Sequence, residues 1–200
     1  MKPGPIRLVL SSWRSTCLTP VLMLITLHCC QLAHAFDASS SPVAAQGTLQ
    51  AAFSPWENLE SLIVGAIDEG QKQILVQAYL LTSRKIAVAL IAAKKRGVDI
   101  RVLADAAQAE TATSSKLDDL AAAGIAVWLE TKYQNAHNKV MVIDAATPRP
   151  TVITGSFNFT WGAQHKNAEN ILIARNNPAL ASRYALNWER HRLDATPYSK

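Results

Sequence analysis

The stretch that most restricts how this chain can fold is the apolar run Val140-Met141-Val142-Ile143, headed by Ala136-His137-Asn138-Lys139 and closed by Asp144. Such a run reads as a buried strand. Side chains alternate along an extended backbone, so His137 and Lys139, two apart, leave one face and can meet a single anion. Asp144 lies an odd seven residues from His137. It is expected on the opposite face, fixing local structure rather than touching substrate.

Around this strand the chain alternates short apolar segments with helical patterns. A first strand is expected over Thr48 to Phe53, then a helix with Ser54 as its cap and Pro55 in its first turn, carrying Leu59, Leu62, Ile63, Ala66 and Ile67 on one face up to Gly70. Ile74 to Tyr79 is the next strand. A helix starting at Ser83 follows, ended by Lys94-Lys95-Arg96-Gly97, where cations suit the carboxyl-terminal dipole; the strand Ile100 to Ala104 comes directly after. Ser115 to Asp118 reads as a capping box, leading to a helix that ends at Gly124 and to the strand Ile125 to Leu129. Thr151 to Thr154 is the hairpin partner of the Val140 run, across the turn-rich segment Ala145 to Pro150. The polar segment 160–167, a strand over Glu169 to Ala174 and a helix from Pro178 with Tyr184, Ala185 and Trp188 on one side complete the pattern. The expected class is α/β, with a mixed, largely parallel β-sheet flanked by helices on both faces. The expected domain runs from 47 to 195.

Residues 1–35 have the layout of a signal peptide: basic Lys2, Arg7 and Arg14, an apolar stretch from Leu18 to Leu32, and Ala33-His34-Ala35 as a small-x-small cleavage site. The apolar stretch is interrupted by Pro20, Thr26, His28 and Gln31, which disfavours a membrane anchor. Export to a periplasm or out of the cell is expected, with 36–46 as a flexible lead-in. Cys17, Cys29 and Cys30 all fall in the segment to be removed, so disulfides and thiolate chemistry are excluded from the processed chain. Its loss also leaves 17 basic against 15 acidic side chains, a net +2, and the overall basicity is no argument for a nucleic-acid partner.

Residue chemistry narrows the function further. An anionic ester repels nucleophiles, so a site for it must neutralise its oxygens, supply a nucleophile and protonate the leaving alkoxide. His137 can act as that nucleophile, Lys139 supplies fixed positive charge, and Ser156 and Asn158, two apart, offer neutral donors. The processed chain's three histidines, His137, His165 and His191, are too scattered for a metal set. His165 with Trp161 and Lys166, and Lys132 with Tyr133 ahead of the motif, are candidates to line a substrate groove.

His137-x-Lys139-x4-Asp144 followed by Gly155-Ser156-x-Asn158 resembles the signature of the phospholipase D superfamily. The order of elements from Thr48 to the last helix is similar to that of the superfamily's small bacterial endonucleases. Ten residues separate Asp144 from Gly155, more than the family usually has, and they read as a longer hairpin loop. The resemblance implies a covalent phosphohistidine on His137, an acidic residue, here Glu169, that orients the imidazole, and no metal or other cofactor. Larger members contain two motifs, whereas this chain has one. The resemblance therefore implies a homodimer in which His137 attacks and its symmetry mate donates the proton. Nucleic acid, DNA first and RNA second, is the leading substrate. Phospholipid cleavage or phosphatidyl transfer by the same chemistry is the alternative, and a non-catalytic binding module the third reading.

Overall fold

The computed structural model describes residues 41–199, together with Met1 and Gly4. The expected signal segment with its cysteines, and the lead-in up to residue 40, lie outside the described residues. Residues 41–46 form neither helix nor strand and are exposed, though Asn177 and Arg183 side chains donate to the carbonyls of Ala44 and Ser41. The domain then runs β1 (Thr48–Ser54), α1 (Leu59–Glu69), β2 (Gln73–Ala78), α2 (Arg84–Lys95), β3 (Asp99–Asp105), α3 (Ala106–Thr111), α4 (Leu117–Ala122), β4 (Ala126–Glu130), β5 (Lys139–Ile143), β6 (Thr151–Gly155), α5 (Trp161–His165), β7 (Glu169–Arg175), α6 (Pro178–Leu193) and β8 (Thr196–Pro197).

All the strands join one eight-stranded sheet in the order β1-β7-β6-β5-β2-β3-β4-β8. The mixed α/β class stands, but the sheet is not largely parallel. Only β2–β3 and β3–β4 pair parallel; the other five pairings are antiparallel. The physical reason is in the connections. A parallel return needs a crossover, usually a helix, and β2-α2-β3-α3-α4-β4 supplies two of them. β5, β6 and β7 follow one another through a loop or the single turn of α5 and pair antiparallel, while α6 carries the chain across to β8, which pairs antiparallel with β4 at the far edge.

The two faces carry separate cores. On one, α1, α2 and α4 cover Ile74, Val76, Ile100, Val102, Met141, Ile143, Ile153, Ile171 and Ile173. On the other, Leu75, Leu103, Val140, Val142 and Val152 pack with Ala181 and Trp188 of α6, and the Trp188 indole donates to the Val76 carbonyl at 2.8 Å. Leu49 and Phe53 of edge strand β1 remain exposed.

Three local expectations shift. Asn58, not Ser54, caps α1, accepting from Ser61 N–H at 3.0 Å; Ser54 ends β1 and bonds instead to β7 and α5. The Ser115 capping box does not form, because α4 starts at Leu117 behind Lys116 with no side-chain cap. Segments α3, α5 and β8, too short to show a period, appear only in the fold.

Candidate active site

One end of the sheet collects the predicted residues, and strand direction explains why. β5 runs against β2, which sets Lys139 beside Ala78 at the end of β2. β6 runs against β5 and delivers Gly155 to the same end, and β7 starts there with Glu169, paired with Ser54 at the end of β1. After Gly155 the chain folds back on the loop following β2: Phe159 N–H donates to the Leu80 carbonyl, and Thr82 and Ser83 N–H donate to the Phe159 carbonyl. Phe157 and Phe159 are buried by this turn, which leaves Ser156 exposed and Asn158 half-buried.

His137 and Lys139 meet as their spacing predicts. Lys139 Nζ lies 2.9 Å from His137 Nδ1 and 3.1 Å from its carbonyl oxygen. The imidazole is exposed; the lysine is only 6% exposed. Tyr79, at the end of an expected strand but not among the expected site residues, packs against both. Its ring centroid is 4.3 Å from that of His137, and the Lys139 ammonium sits 4.7 Å over its face. Burial holds the lysine's pKa below its ordinary value, and the negative charge of Glu169 opposes that shift. A charged lysine donates to the Nδ1 lone pair, leaving the imidazole proton on Nε2. A neutral one accepts from Nδ1–H and frees Nε2 as a nucleophile.

Glu169 was expected to orient His137. It makes no hydrogen bond or ion pair with that ring within the chain. Its Oε1 accepts from Asn167 Nδ2 at 2.9 Å, and β6 lies between its strand and that of the histidine. Its influence reaches the pair through the charge of Lys139 instead. Ser156 Oγ accepts from the backbone and side-chain N–H of Asn170 at 3.1 and 3.3 Å, so its lone pairs are used and its O–H is left to donate. Asn158 Oδ1 is buried and has no partner among the described residues.

Asp144 belongs to the other end of β5, about 17 Å beyond Lys139 at a strand's rise per residue. Its Oδ1 accepts from Lys72 and Gln73 N–H at 2.7 and 2.9 Å, and its Oδ2 from Gln71 N–H at 2.9 Å. It therefore ties the entry to β2 onto the hairpin, the structural role expected of it. Gly155 is required by close approach: a Cβ there would stand 2.2 Å from the Asn170 carbonyl oxygen and 2.9 Å from Ile171 Cα.

The candidate groove residues divide into two groups. Trp161 and His165 of α5 stack at 4.7 Å between centroids, and Lys166 lies 5.4 Å over the indole, all just beyond the Ser156–Asn158 turn. Lys132 and Tyr133 turn instead to the end of α6, where Lys132 pairs with Asp194 at 2.7 Å and Tyr133 packs on His191. His191 in turn binds the buried carboxylate of Glu130, which also accepts from Gln77. Among the described residues there is no cluster of His, Cys, Asp and Glu able to hold a metal, and no helix long and apolar enough to cross a membrane.

Comparison with known proteins agrees with this geometry. The family described as cardiolipin synthase, PLD-like domain, matches residues 63–192. Phospholipase D of Rickettsia felis is 40% identical over 136 residues, covering 68% of this chain and 65% of the relative, so the chain spans just under two thirds of that protein's length. Mitochondrial cardiolipin hydrolase of Xenopus laevis is 29% identical over 175 residues, covering 88% of this chain and 70% of the relative. Among solved structures, the phospholipase D family member Nuc from Salmonella typhimurium superposes with a TM-score of 0.71 at 33% identity, covering 78% of this chain and 100% of that one. NucT from Helicobacter pylori, at 19% identity and a TM-score of 0.67, shares the fold. With His137, Lys139, Gly155, Ser156 and Asn158 gathered at one sheet end and the family matched over most of the domain, the chain belongs to the phospholipase D superfamily of phosphodiesterases.

Proposed function

We propose that this phosphodiesterase cleaves nucleic acid as a metal-independent endonuclease with little sequence preference. The observation that carries the chemistry is the exposed imidazole of His137 set 2.9 Å from the buried ammonium of Lys139, at an open sheet end that also presents the Ser156 hydroxyl. Resemblance to the small bacterial endonucleases, and the match across the whole of Nuc, support the choice of substrate. With the Lys139 ammonium turned from Nδ1 onto the phosphate and the ring proton on Nδ1, His137 Nε2 attacks phosphorus, forming the N–P bond as the P–O bond to the leaving alkoxide breaks. Lys139, Ser156 and Asn158 bear the charge that builds on the phosphoryl oxygens. One imidazole cannot attack and protonate in the same step, so His137 of a second copy gives the alkoxide its proton. It then takes one from the water that splits the phosphohistidine. The blocks of the first 35 residues support export of the processed enzyme to the periplasm or beyond.

A second reading has its own observation. Trp56 and Trp161 stand 83% and 56% exposed at the same sheet end, as tryptophans at a membrane interface do, and relatives carry the names phospholipase D and cardiolipin hydrolase. One experiment separates the two. The processed protein and its His137→Ala variant are incubated in chelator with plasmid DNA, RNA, and vesicles of phosphatidylcholine or cardiolipin. Nicking or degradation of nucleic acid that the variant loses supports the endonuclease. Headgroup release without nucleic-acid cleavage moves the assignment to phospholipid, and binding of nucleic acid with no turnover of any substrate favours a non-catalytic module.

A further inference from the structure

Two backbone hydrogen bonds bracket His137. The N–H of Ala136 donates to Asp105 Oδ2 at 2.7 Å, and the Asn138 carbonyl accepts from the Tyr79 N–H at 2.8 Å. The second simply continues the pairing of β2 with β5. The first is of another kind, because it comes from the last residue of β3 and uses a charged group. Asp105 is 2% exposed, and among the described residues no lysine or arginine pairs with it. A carboxylate buried without a cation is unfavourable unless its oxygens are hydrogen-bonded.

Helix capping accounts for only half of this side chain. Asp105 Oδ1 accepts from Gln108 N–H at 2.9 Å and so caps α3, a helix of six residues that Ser, Thr or Asn would cap about as well. Oδ2 contributes nothing to that cap, and it holds Ala136. Two backbone donors thus converge on two oxygens. Only a carboxylate offers acceptors at both; Asn would turn its amino group toward one of the donors. The segment being held needs such a hold, since residues 131–138 form no helix or strand and 131–135 are exposed.

We infer that Asp105 is a positioning residue, which holds the approach to β5 so that His137 presents its imidazole to phosphorus beside Lys139. The inference rests on the reading of His137 as the nucleophile. Attack is sensitive to such placement, a displacement of about 1 Å costing on the order of 100-fold in rate. Lys139, Ser156 and Asn158 are untouched by Asp105, so substrate binding should not depend on it.

The test compares the processed chain with Asp105→Ala, Asp105→Asn and Gln108→Pro on bis(p-nitrophenyl) phosphate, a phosphodiester that demands no nucleic-acid recognition. Gln108→Pro removes the capping donor alone, at a first-turn position that accepts proline. Expected are a kcat about 100-fold lower in Asp105→Ala with KM within about twofold, a smaller loss in Asp105→Asn, and normal kcat in Gln108→Pro. Normal kcat in both Asp105 variants, or an equal loss in Gln108→Pro, overturns the inference. If Asp105→Ala does not fold, the other two variants carry the comparison. A native chain that turns over no phosphodiester defeats the functional reading separately. Positioning is then judged by amide exchange at Ala136 and by the His137 ring ¹⁵N signals in Asp105→Asn. Faster exchange and broadened ring signals are expected, and unchanged values overturn it.

Discussion

His137 and Lys139 are two residues apart in sequence and 2.9 Å apart at their side-chain nitrogens, yet the imidazole is exposed and the lysine buried. The start of β5 makes this difference: Lys139 is already in the sheet, paired with Ala78, while His137 is still in the loop. Charge is thereby kept in a place of low polarity, and the group that must reach substrate stands outside.

That burial has a cost that can be measured. Because the folded chain lowers the Lys139 pKa, the unfolded chain binds more protons between the folded value and the unfolded one near 10.4. Stability from this group is therefore fully present above the unfolded value and is lost as pH falls through the folded one. Lys139→Met should melt higher than the native chain at neutral pH, and its advantage should shrink as pH rises toward 10. Its activity should fall by about 10²–10³-fold. Calorimetry across pH checks the first point, and a lower melting temperature at neutral pH would refute it.

Glu169 should act on the lysine rather than on the histidine. Its charge raises the Lys139 pKa against burial, so Glu169→Gln should lower that pKa further. If the phosphate needs a charged lysine, the alkaline limb of the pH–rate profile moves to lower pH. An unmoved limb, with the Lys139 ¹⁵Nζ titration unchanged, would reject this coupling.

Asp144 should prove separable from catalysis although it belongs to the same signature. Asp144→Ala strips acceptors from three backbone N–H groups and should destabilise the fold by about 3 kcal/mol. Asp144→Asn keeps a side chain that tolerates the observed φ of 54° and should lose less. Urea unfolding measures both. The folded fraction of each should retain native kcat, and a kcat that collapsed without loss of stability would return Asp144 to the active site.

Gly155→Ala is the opposite case, in which packing and activity fall together. The added methyl meets the backbone of Asn170 and Ile171, so β7 must shift, at a cost of about 1–3 kcal/mol. Asn170 donates to Ser156, and the shift should disturb that hydroxyl as well. Unfolding and turnover measured on one preparation should both decline; a variant with native stability would mean that the strands have room.

Much of this was legible in the sequence because it is local. The Leu59 to Ile67 face, the Ser83 cap, Gly70 and Pro178 as helix boundaries, and the strand over Lys139–Ile143 each follow from residues within a few positions of one another. The parity of Asp144 pointed it away from His137 for a partial reason, since its distance from His137 comes from lying at the far end of the strand. Where the sequence misled, a nearby signal was outcompeted by a distant partner. Ser54 looked like a cap but bonds across the sheet to Glu169 N–H, and Lys132 looked like a groove residue but pairs with Asp194.

The sequence by itself determined that a histidine and a lysine would share one phosphate-sized place at the head of a buried strand, with Ser156 and Asn158 on the following turn. Spacing of two along extended backbone is sufficient for that. Only the tertiary structure decided that β5 runs antiparallel to β2, which puts Tyr79 beneath the pair. It also put Asp105 on the amide of Ala136 and set the negative charge of Glu169 against the burial of Lys139. Those neighbours come from strands that are distant in the chain, and which strands pair is set by the crossovers and the burial of whole faces, not by local spacing.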